Sequence, residues 1–456
     1  MRMILTVGAV VAISLLGGTA SRVDRQAPSI RTVDEATLRA YTGVYQWDNS
    51  SFVYLQMWDE YSGFGKPSQL VAFDESGDVR VLYPTNQDQF FTGPGAAIST
   101  SVESRIQFQR DKTGRATTFA WRKEESSPRT AQRIDNERHE DVTFSNASVQ
   151  LAGTLIGPSI GTKHSAIVLV HGSGAENREY VLPFARFLVR HGLAVLGYDK
   201  RGVGGSTGDW NTTSYADLAG DVVSAVRYLK TRPDIDPSQI GLLGVSQAGW
   251  IMQMAAVQLD DLGFLISISG AGVSPAETTL DQTKNELTAN GMKPETVDAI
   301  VALMKLQYGF AKTGQGWDEY AAARQKLAAQ MGPPPDSFPG TPDHPYWQTI
   351  RRSYFYDPQP VIRRLRVPVL AIFGELDNNI VAEKNKNAWE AALKAGGNRD
   401  YTLVTLPKAN HAQFEAIVGS NAEAPSLKRI VPAYFSTVQS WLAKRIHGLD
   451  SAAPKG

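Results

Sequence analysis

From Val142 onward, short apolar runs alternate with amphipathic stretches of helical period, and this alternation restricts the possible folds more than any other feature of the chain. Continuous apolar strands separated by helices build a mostly parallel sheet covered on both faces. The expected order opens with a hairpin at Val142 to Phe144 and Val149 to Leu155. A strand at Ala166 to Val170, a helix near Tyr180 to Arg190 and a strand at Ala194 to Tyr198 follow. Ser214 with Asp217 resembles a capping box, opening a helix whose apolar stripe is Leu218, Val222, Ala225, Val226 and Leu229. Ile240 to Val245 is the next strand, Gly249 to Val257 the next helix and Phe264 to Ser269 the strand after that.

The alternation then stops. Residues 275–360 read as mainly helical, with helices expected at Glu295 to Tyr308 and Trp317 to Gln330, a proline cluster at Pro333 to Pro335, and the aromatics Tyr346, Trp347, Tyr354, Phe355 and Tyr356. An insertion of this length inside a sheet reads as a lid. The sheet is expected to resume at Val367 to Phe373, followed by a helix at Ala382 to Ala395, a strand at Tyr401 to Leu406 and a closing helix from Val431 to Ile446.

A chain of 456 residues exceeds one ordinary domain, and its 42% apolar content supports at least one large core. Residues 30–134 follow a different grammar. Aromatic and β-branched runs such as Phe52 to Trp58, Gln69 to Phe73, Val79 to Tyr83, Arg105 to Arg110 and Thr117 to Arg122 are broken by turn residues. They predict a small all-β domain, an antiparallel barrel or sandwich, joined through a polar linker at Lys123 to Arg138. The expected division is therefore 1–20 leader, 30–134 β domain, 140–274 and 361–446 α/β core, and 275–360 helical lid.

The leader is expected from Met1-Arg2-Met3, the apolar run Ile4 to Leu16 and the small residues Gly18-Thr19-Ala20, the layout of a cleaved secretory signal. An uncleaved membrane anchor is the alternative, for which the run is short. Export to the periplasm or medium is the expectation. The chain has no cysteine, which excludes disulfides, thiolate nucleophiles and cysteine metal sites. Its 46 basic residues balance 46 acidic ones, so nothing in the charge suggests a nucleic-acid partner. A small-molecule substrate is expected instead.

Gly244-Val245-Ser246-Gln247-Ala248-Gly249 lies where a strand turns directly into a helix. A serine there sits on a sharp elbow with its hydroxyl lifted from the sheet, and Ala248 replaces the second glycine of the usual pattern. A serine hydroxyl becomes a nucleophile only when an imidazole, oriented by a carboxylate, takes its proton. Of the histidines after Ser246, His344 falls in the lid and His447 near the chain end, leaving His411 in the loop after a strand. Asp377 is placed similarly, through Gly374-Glu375-Leu376, with Glu375 and Asp400 as rivals. Both candidates sit at the ends of parallel strands, where active sites of open α/β sheets gather. His171-Gly172-Ser173-Gly174 follows the strand Ala166 to Val170, and its glycines free backbone N–H groups for an oxyanion hole with the N–H of Gln247; Ser173 is taken as the second donor. His171 is expected to shape this loop, and Asp199 and Arg201 to brace the one after their strand. No HExxH zinc motif, no GxxxxGK[ST] phosphate loop and no Ser-x-x-Lys pair occurs.

These residues resemble the bacterial carboxylesterases of the α/β-hydrolase superfamily, particularly the branch related to dienelactone hydrolases and prolyl-oligopeptidase catalytic domains. The resemblance covers roughly residues 140–446. It rests on His171-Gly172-Ser173-Gly174, on Tyr198-Asp199-Lys200-Arg201-Gly202-Val203-Gly204-Gly205-Ser206, on the serine elbow, on Gly374-Glu375-Leu376-Asp377 and on Asn410-His411. It implies an α/β-hydrolase fold and a serine hydrolase that cleaves carboxylic esters, with short acyl chains expected, through an acyl-enzyme on Ser246. Asp377 and His411 complete the triad, and no metal or organic cofactor is implied. A peptidase or amidase of the prolyl-oligopeptidase-like type, a thioesterase and an acyltransferase share such a triad and stand as alternatives. A further alternative is a binding protein whose β domain holds a polysaccharide, lipid or protein.

Overall fold

The computed structural model describes residues 28–446 except 59–68, 124–125, 160, 162 and 182–183. The expected leader and His447 lie outside the described residues.

The N-terminal unit begins with a helix, Glu35–Tyr41, capped by Asp34, and continues as β1 Gly43–Trp47, β2 Phe52–Trp58, β3 Gln69–Asp74, β4 Val79–Val81, β5 Tyr83–Pro84, β6 Gln89–Thr92, β7 Ser104–Arg110, β8 Ala116–Lys123 and β9 Arg129–Ile134. These strands form one antiparallel sheet in the order β4-β3-β2-β1-β9-β8-β7-β6-β5. The two ends of that order are consecutive pieces of one extended segment, Val79–Pro84, so the sheet curls back on itself as a barrel. Tyr45, Leu55, Met57, Ala72, Phe90, Ile106, Phe108 and Phe119 fill its interior. On β7 buried and exposed residues alternate, as expected for a strand with one wet face. On β2 and β3 they do not, because the outward residues Tyr54, Trp58, Val71 and Phe73 join a second core with Phe187, Phe435 and Phe414 of the α/β body. Phe184 packs against this core from the same side, its ring centroid 5.6 Å from that of Phe73 and 6.0 Å from that of Trp58.

The linker expected at Lys123 to Arg138 is not a linker. Its centre is β9, paired with β1 (Val44↔Ile134) and β8 (Phe119↔Ala131), and its end opens the next sheet. Within Arg129-Thr-Ala-Gln-Arg-Ile134, Ala131 is the one fully buried apolar residue. The strand is made by its neighbours' backbone groups rather than by a hydrophobic pattern of its own.

The α/β body is an eight-stranded sheet of β10 Glu137–Asn146, β11 Val149–Pro158, β12 His164–Val170, β13 Ala194–Tyr198, β14 Ile235–Val245, β15 Phe264–Ile268, β16 Val369–Gly374 and β17 Tyr401–Leu406, in the order β10-β11-β13-β12-β14-β15-β16-β17. β10 and β11 form the antiparallel hairpin, and β12 to β17 run parallel. Every residue of β12, β13, β15 and β16 is buried, since helices cover both faces. The helix Tyr215–Lys230 starts with the expected capping box: the Asp217 N–H donates to Ser214 Oγ at 3.2 Å and the Ser214 N–H to Asp217 Oδ2 at 3.2 Å. The segment expected as a single helix near Tyr180 to Arg190 is split into Arg178–Val181 and Ala185–Arg190.

Between β15 and β16 the chain forms helices Pro275–Ala289, Pro294–Thr313, Trp317–Met331 and Tyr346–Ser353. They enclose a core of their own, in which Phe310, Tyr320, Trp347 and Ile350 are buried. Among the described residues no helix is long and apolar enough to cross a membrane.

Barrel and body also meet through backbone pairing. The Val79 N–H donates to Lys428 O at 3.1 Å, the Ile430 N–H to Gly77 O at 2.8 Å and the Ala96 N–H to Leu427 O at 2.6 Å. The same strap, residues 427–431, pairs on its other side with the loop after β17, where the Val431 N–H reaches Gln413 O at 2.9 Å and the Glu415 N–H reaches Arg429 O at 2.9 Å. Gly77 makes this possible, with φ +96° and a position where a Cβ would lie 2.0 Å from Ile430 O. Gly77→Ala is therefore expected to cost about 2 kcal/mol or more in chemical denaturation and to speed hydrogen exchange across residues 411–431. Wild-type stability and exchange in that variant would contradict this account of the seam.

Candidate active site

β14 ends at Val245 and the helix Ala248–Ala256 begins three residues later, leaving Ser246 to turn the chain at φ 61°. A non-glycine residue in this left-handed region costs about 1–3 kcal/mol, so the surroundings must hold it. They do so through the Ser246 N–H on Ile268 O at 3.0 Å and the Gly249 N–H on Ser246 O at 2.9 Å. A Cβ at Gly244 would stand 2.4 Å from the Ala248 Cβ and 2.9 Å from Val170 O. The missing side chain at Gly244 is what lets Ala248 replace the more usual glycine.

The ends of β16 and β17 bring the other two residues together. His411 Nδ1 lies 3.1 Å from Asp377 Oδ1 and 3.0 Å from Oδ2. The Asp377 carboxylate is fully buried and also accepts the N–H groups of Asn379 at 2.9 Å and Ile380 at 2.8 Å, so its loop is wrapped around it. The Leu376 N–H donates to Ala409 O at 2.8 Å, tying the aspartate loop to the histidine loop. Glu375 instead accepts the Lys408 N–H at 2.8 Å, and Asp400 pairs with Arg445 at the opposite end of β17. His344 accepts the Tyr346 N–H at 3.2 Å inside the helical insertion.

Ser269 links the serine elbow to the histidine loop. The residue before it, Ile268, accepts the Ser246 N–H, while the Ser269 hydroxyl donates to His411 O at 3.0 Å and accepts from Gln413 Nε2 at 3.0 Å. Ser269 and Gln413 both have positive φ, 47° and 64°, and both are buried. Sequence reading did not single out either residue. Their only signal is position: Ser269 directly follows the strand beside the elbow, and Gln413 lies two residues after His411.

The loop after β12 lies next to the elbow because β12 pairs with β14, Val170 opposite Gly244. Ser173 is exposed in it. His171 is buried, and its Nε2 donates to Tyr198 O. Burial, helped by the nearby Lys200 charge, pushes its pKa down to about 3, so the ring stays neutral. Asp199 accepts the N–H groups of Arg178 at 2.8 Å and Gly205 at 2.9 Å, and the Arg178 guanidinium; Arg201 forks onto Asp221. Asp199 thus braces the loop after its strand, while Arg201 ties that loop to the helix Tyr215–Lys230 through Asp221 and Asp217 O.

Lys200 and Glu176 were also not singled out. The Lys200 ammonium is buried and donates to Gly172 O at 2.7 Å and Gly174 O at 2.9 Å, with Gln247 Oε1 at 3.5 Å. The Glu176 carboxylate accepts the Gly172 N–H at 2.7 Å. Burial lowers the Lys200 pKa to about 8, and the Glu176 charge opposes that shift. Among the described residues no group of three or more acidic or histidine side chains is arranged to hold a metal ion.

Comparison with known proteins places this architecture. Residues 167–423 match the alpha/beta hydrolase family. Esterase EstD of Thermotoga maritima is 25% identical over 287 residues, covering 61% of this chain and 61% of that protein. Dipeptidyl-peptidase 5 of Porphyromonas gingivalis is 24% identical over 234 residues, covering 50% of this chain and 27% of that protein. The chain thus spans less than two thirds of either relative. Among solved structures, the Pyrococcus furiosus esterase Pf2001 aligns with 68% of this chain and 91% of its own at 17% identity, with a TM-score of 0.41. With a serine elbow, an aspartate–histidine pair and a glycine loop on adjacent strand ends, and a family match covering more than half its length, this chain belongs to the alpha/beta hydrolase family.

Proposed function

We propose that the protein is a serine hydrolase of carboxylic esters, and the observation that carries this reading is the His411–Asp377 pair at 3.0 Å on the rim that also holds the Ser246 elbow. The carboxylate fixes the imidazole with Nδ1–H toward itself, leaving the basic lone pair on Nε2. Ser246 Oγ attacks the ester carbonyl carbon as its proton passes to His411 Nε2. The resulting oxyanion accepts from the N–H groups of Gln247 and Ser173. Among the described residues neither N–H donates to another protein group, which supports their availability for this role. The imidazolium then protonates the departing alcohol. Water, activated by the same histidine, releases the acid and restores Ser246. Each preorganised donor is worth about 3 kcal/mol of barrier lowering.

Short acyl chains are favoured because the aromatics of the insertion are mostly committed elsewhere. Tyr346 and Trp347 are buried in the insertion's own core, and Tyr354 and Phe355 pack against it. Tyr356 turns to the body, where its ring meets that of Tyr215 at 6.2 Å. The esterase relative supports ester cleavage, and the dipeptidyl-peptidase relative keeps amide cleavage as the second reading. The Met1 to Ala20 pattern supports an exported enzyme, which an N-terminal sequence of the protein recovered from culture medium or periplasm tests.

Ser246→Ala should lower turnover of p-nitrophenyl acetate and butyrate by roughly 100,000-fold, and undiminished turnover would end the proposal. Asp377→Asn, which keeps the shape but favours the wrong imidazole tautomer, should cost roughly 1,000-fold or more in kcat with little change in KM. A panel of acyl esters set against proline-containing aminoacyl-naphthylamides separates the two readings: faster cleavage of the amides would replace the esterase with the peptidase.

A further inference from the structure

A lysine is seldom driven wholly inside a protein, because its ammonium loses water that only well-placed acceptors can replace. Lys200 is 2% exposed, and the acceptors it meets belong to the oxyanion rim: Gly172 O at 2.7 Å, Gly174 O at 2.9 Å and the side chain of Gln247 at 3.5 Å. The first of these contacts matters most. Gly172 C=O and Ser173 N–H are the two ends of a single peptide group, and in a planar trans peptide they point in opposite directions. A cation held against the oxygen draws electron density along the amide, strengthens the N–H as a donor, and leaves it aimed away from the buried lysine. Glu176 holds the preceding N–H, that of Gly172, at 2.7 Å, so opposite charges grip the loop at successive peptides.

We propose that Lys200 is a positioning residue of the oxyanion hole, its ammonium polarising the Gly172–Ser173 peptide so that the Ser173 N–H binds developing negative charge more strongly. This rests on the Ser246, His411 and Asp377 reading above. The groups facing the ammonium are consistent with a lasting charge there. Glu176 favours the cation, His171 is neutral, Asp221 is committed to Arg201, and the Trp210 ring lies 5.9 Å away. Burial brings the lysine's own pKa down to about 8, so the cation is present at neutral pH and is lost as pH rises through that value.

The test uses the full chain with p-nitrophenyl acetate and with a 1,1,1-trifluoro-2-alkanone. In the second case the Ser246 oxygen bonds to the ketone carbon, the serine proton passes to His411, and the ketone oxygen becomes a hemiketal anion in the oxyanion hole. Lys200→Met is expected to lower kcat about 10- to 100-fold with KM nearly unchanged. It should weaken ketone inhibition by a similar factor and abolish a decline of wild-type kcat near pH 8. Lys200→Arg, which keeps the charge, should restore part of kcat and remove the decline below about pH 10. A loss of kcat in Lys200→Met without weaker ketone inhibition would overturn the proposal, and so would near-wild-type values of both. If Lys200→Met does not fold, Lys200→Gln takes its place, and unchanged kcat together with unchanged ketone inhibition in that variant overturns it. The triad reading fails separately, through activity retained in Ser246→Ala or absence of fluorophosphonate labelling at Ser246 in the wild type.

Discussion

The Asp377 carboxylate, gripping the His411 imidazole on one side and two N–H groups of its own loop on the other, is the interaction on which the rim depends. A carboxylate removed from water is tolerated only when its lone pairs are taken up, and here the three donors take them up. The arrangement is self-consistent. The loop that encloses the charge also meets the histidine loop through Leu376 and Ala409, so the electrostatic need of one side chain fixes the path of two chain segments.

The other supports of the rim are hydrogen bonds made by unremarkable residues in uncommon conformations. Ser246, Ser269 and Gln413 all adopt positive φ, and they form a chain from the elbow through the end of β15 to the histidine loop. Strain of this kind persists only where packing and hydrogen bonding over-determine the backbone. Its concentration along one line across three strand ends is what a preorganised site requires.

Much of this is legible in the sequence because the α/β grammar is regular. Once the strands at Ile240 to Val245, Val367 to Phe373 and Tyr401 to Leu406 are recognised, Ser246, Asp377 and His411 fall at their carboxyl ends, and the parallel order brings those ends together. What escapes is information that lies in partners. β9 carries little apolar signal and exists through β1 and β8, so it reads as a polar linker. Lys200 reads as one letter of a loop motif, because the partners that hold it inside, Gly172, Gly174 and Gln247, lie in segments distant in sequence. Ser269 and Gln413 carry no compositional mark, since their importance lies in backbone geometry.

The seam between barrel and body has its own consequence. Tyr54, Trp58 and Phe73 on one side and Phe184, Phe187 and Phe435 on the other are each half of a single apolar layer, so neither unit has a finished surface without its neighbour. In thermodynamic terms the β unit is not an appendage but part of one cooperative block. A chain begun after Ile134 would carry a sticky aromatic face where the barrel had been, and would self-associate before it could refold.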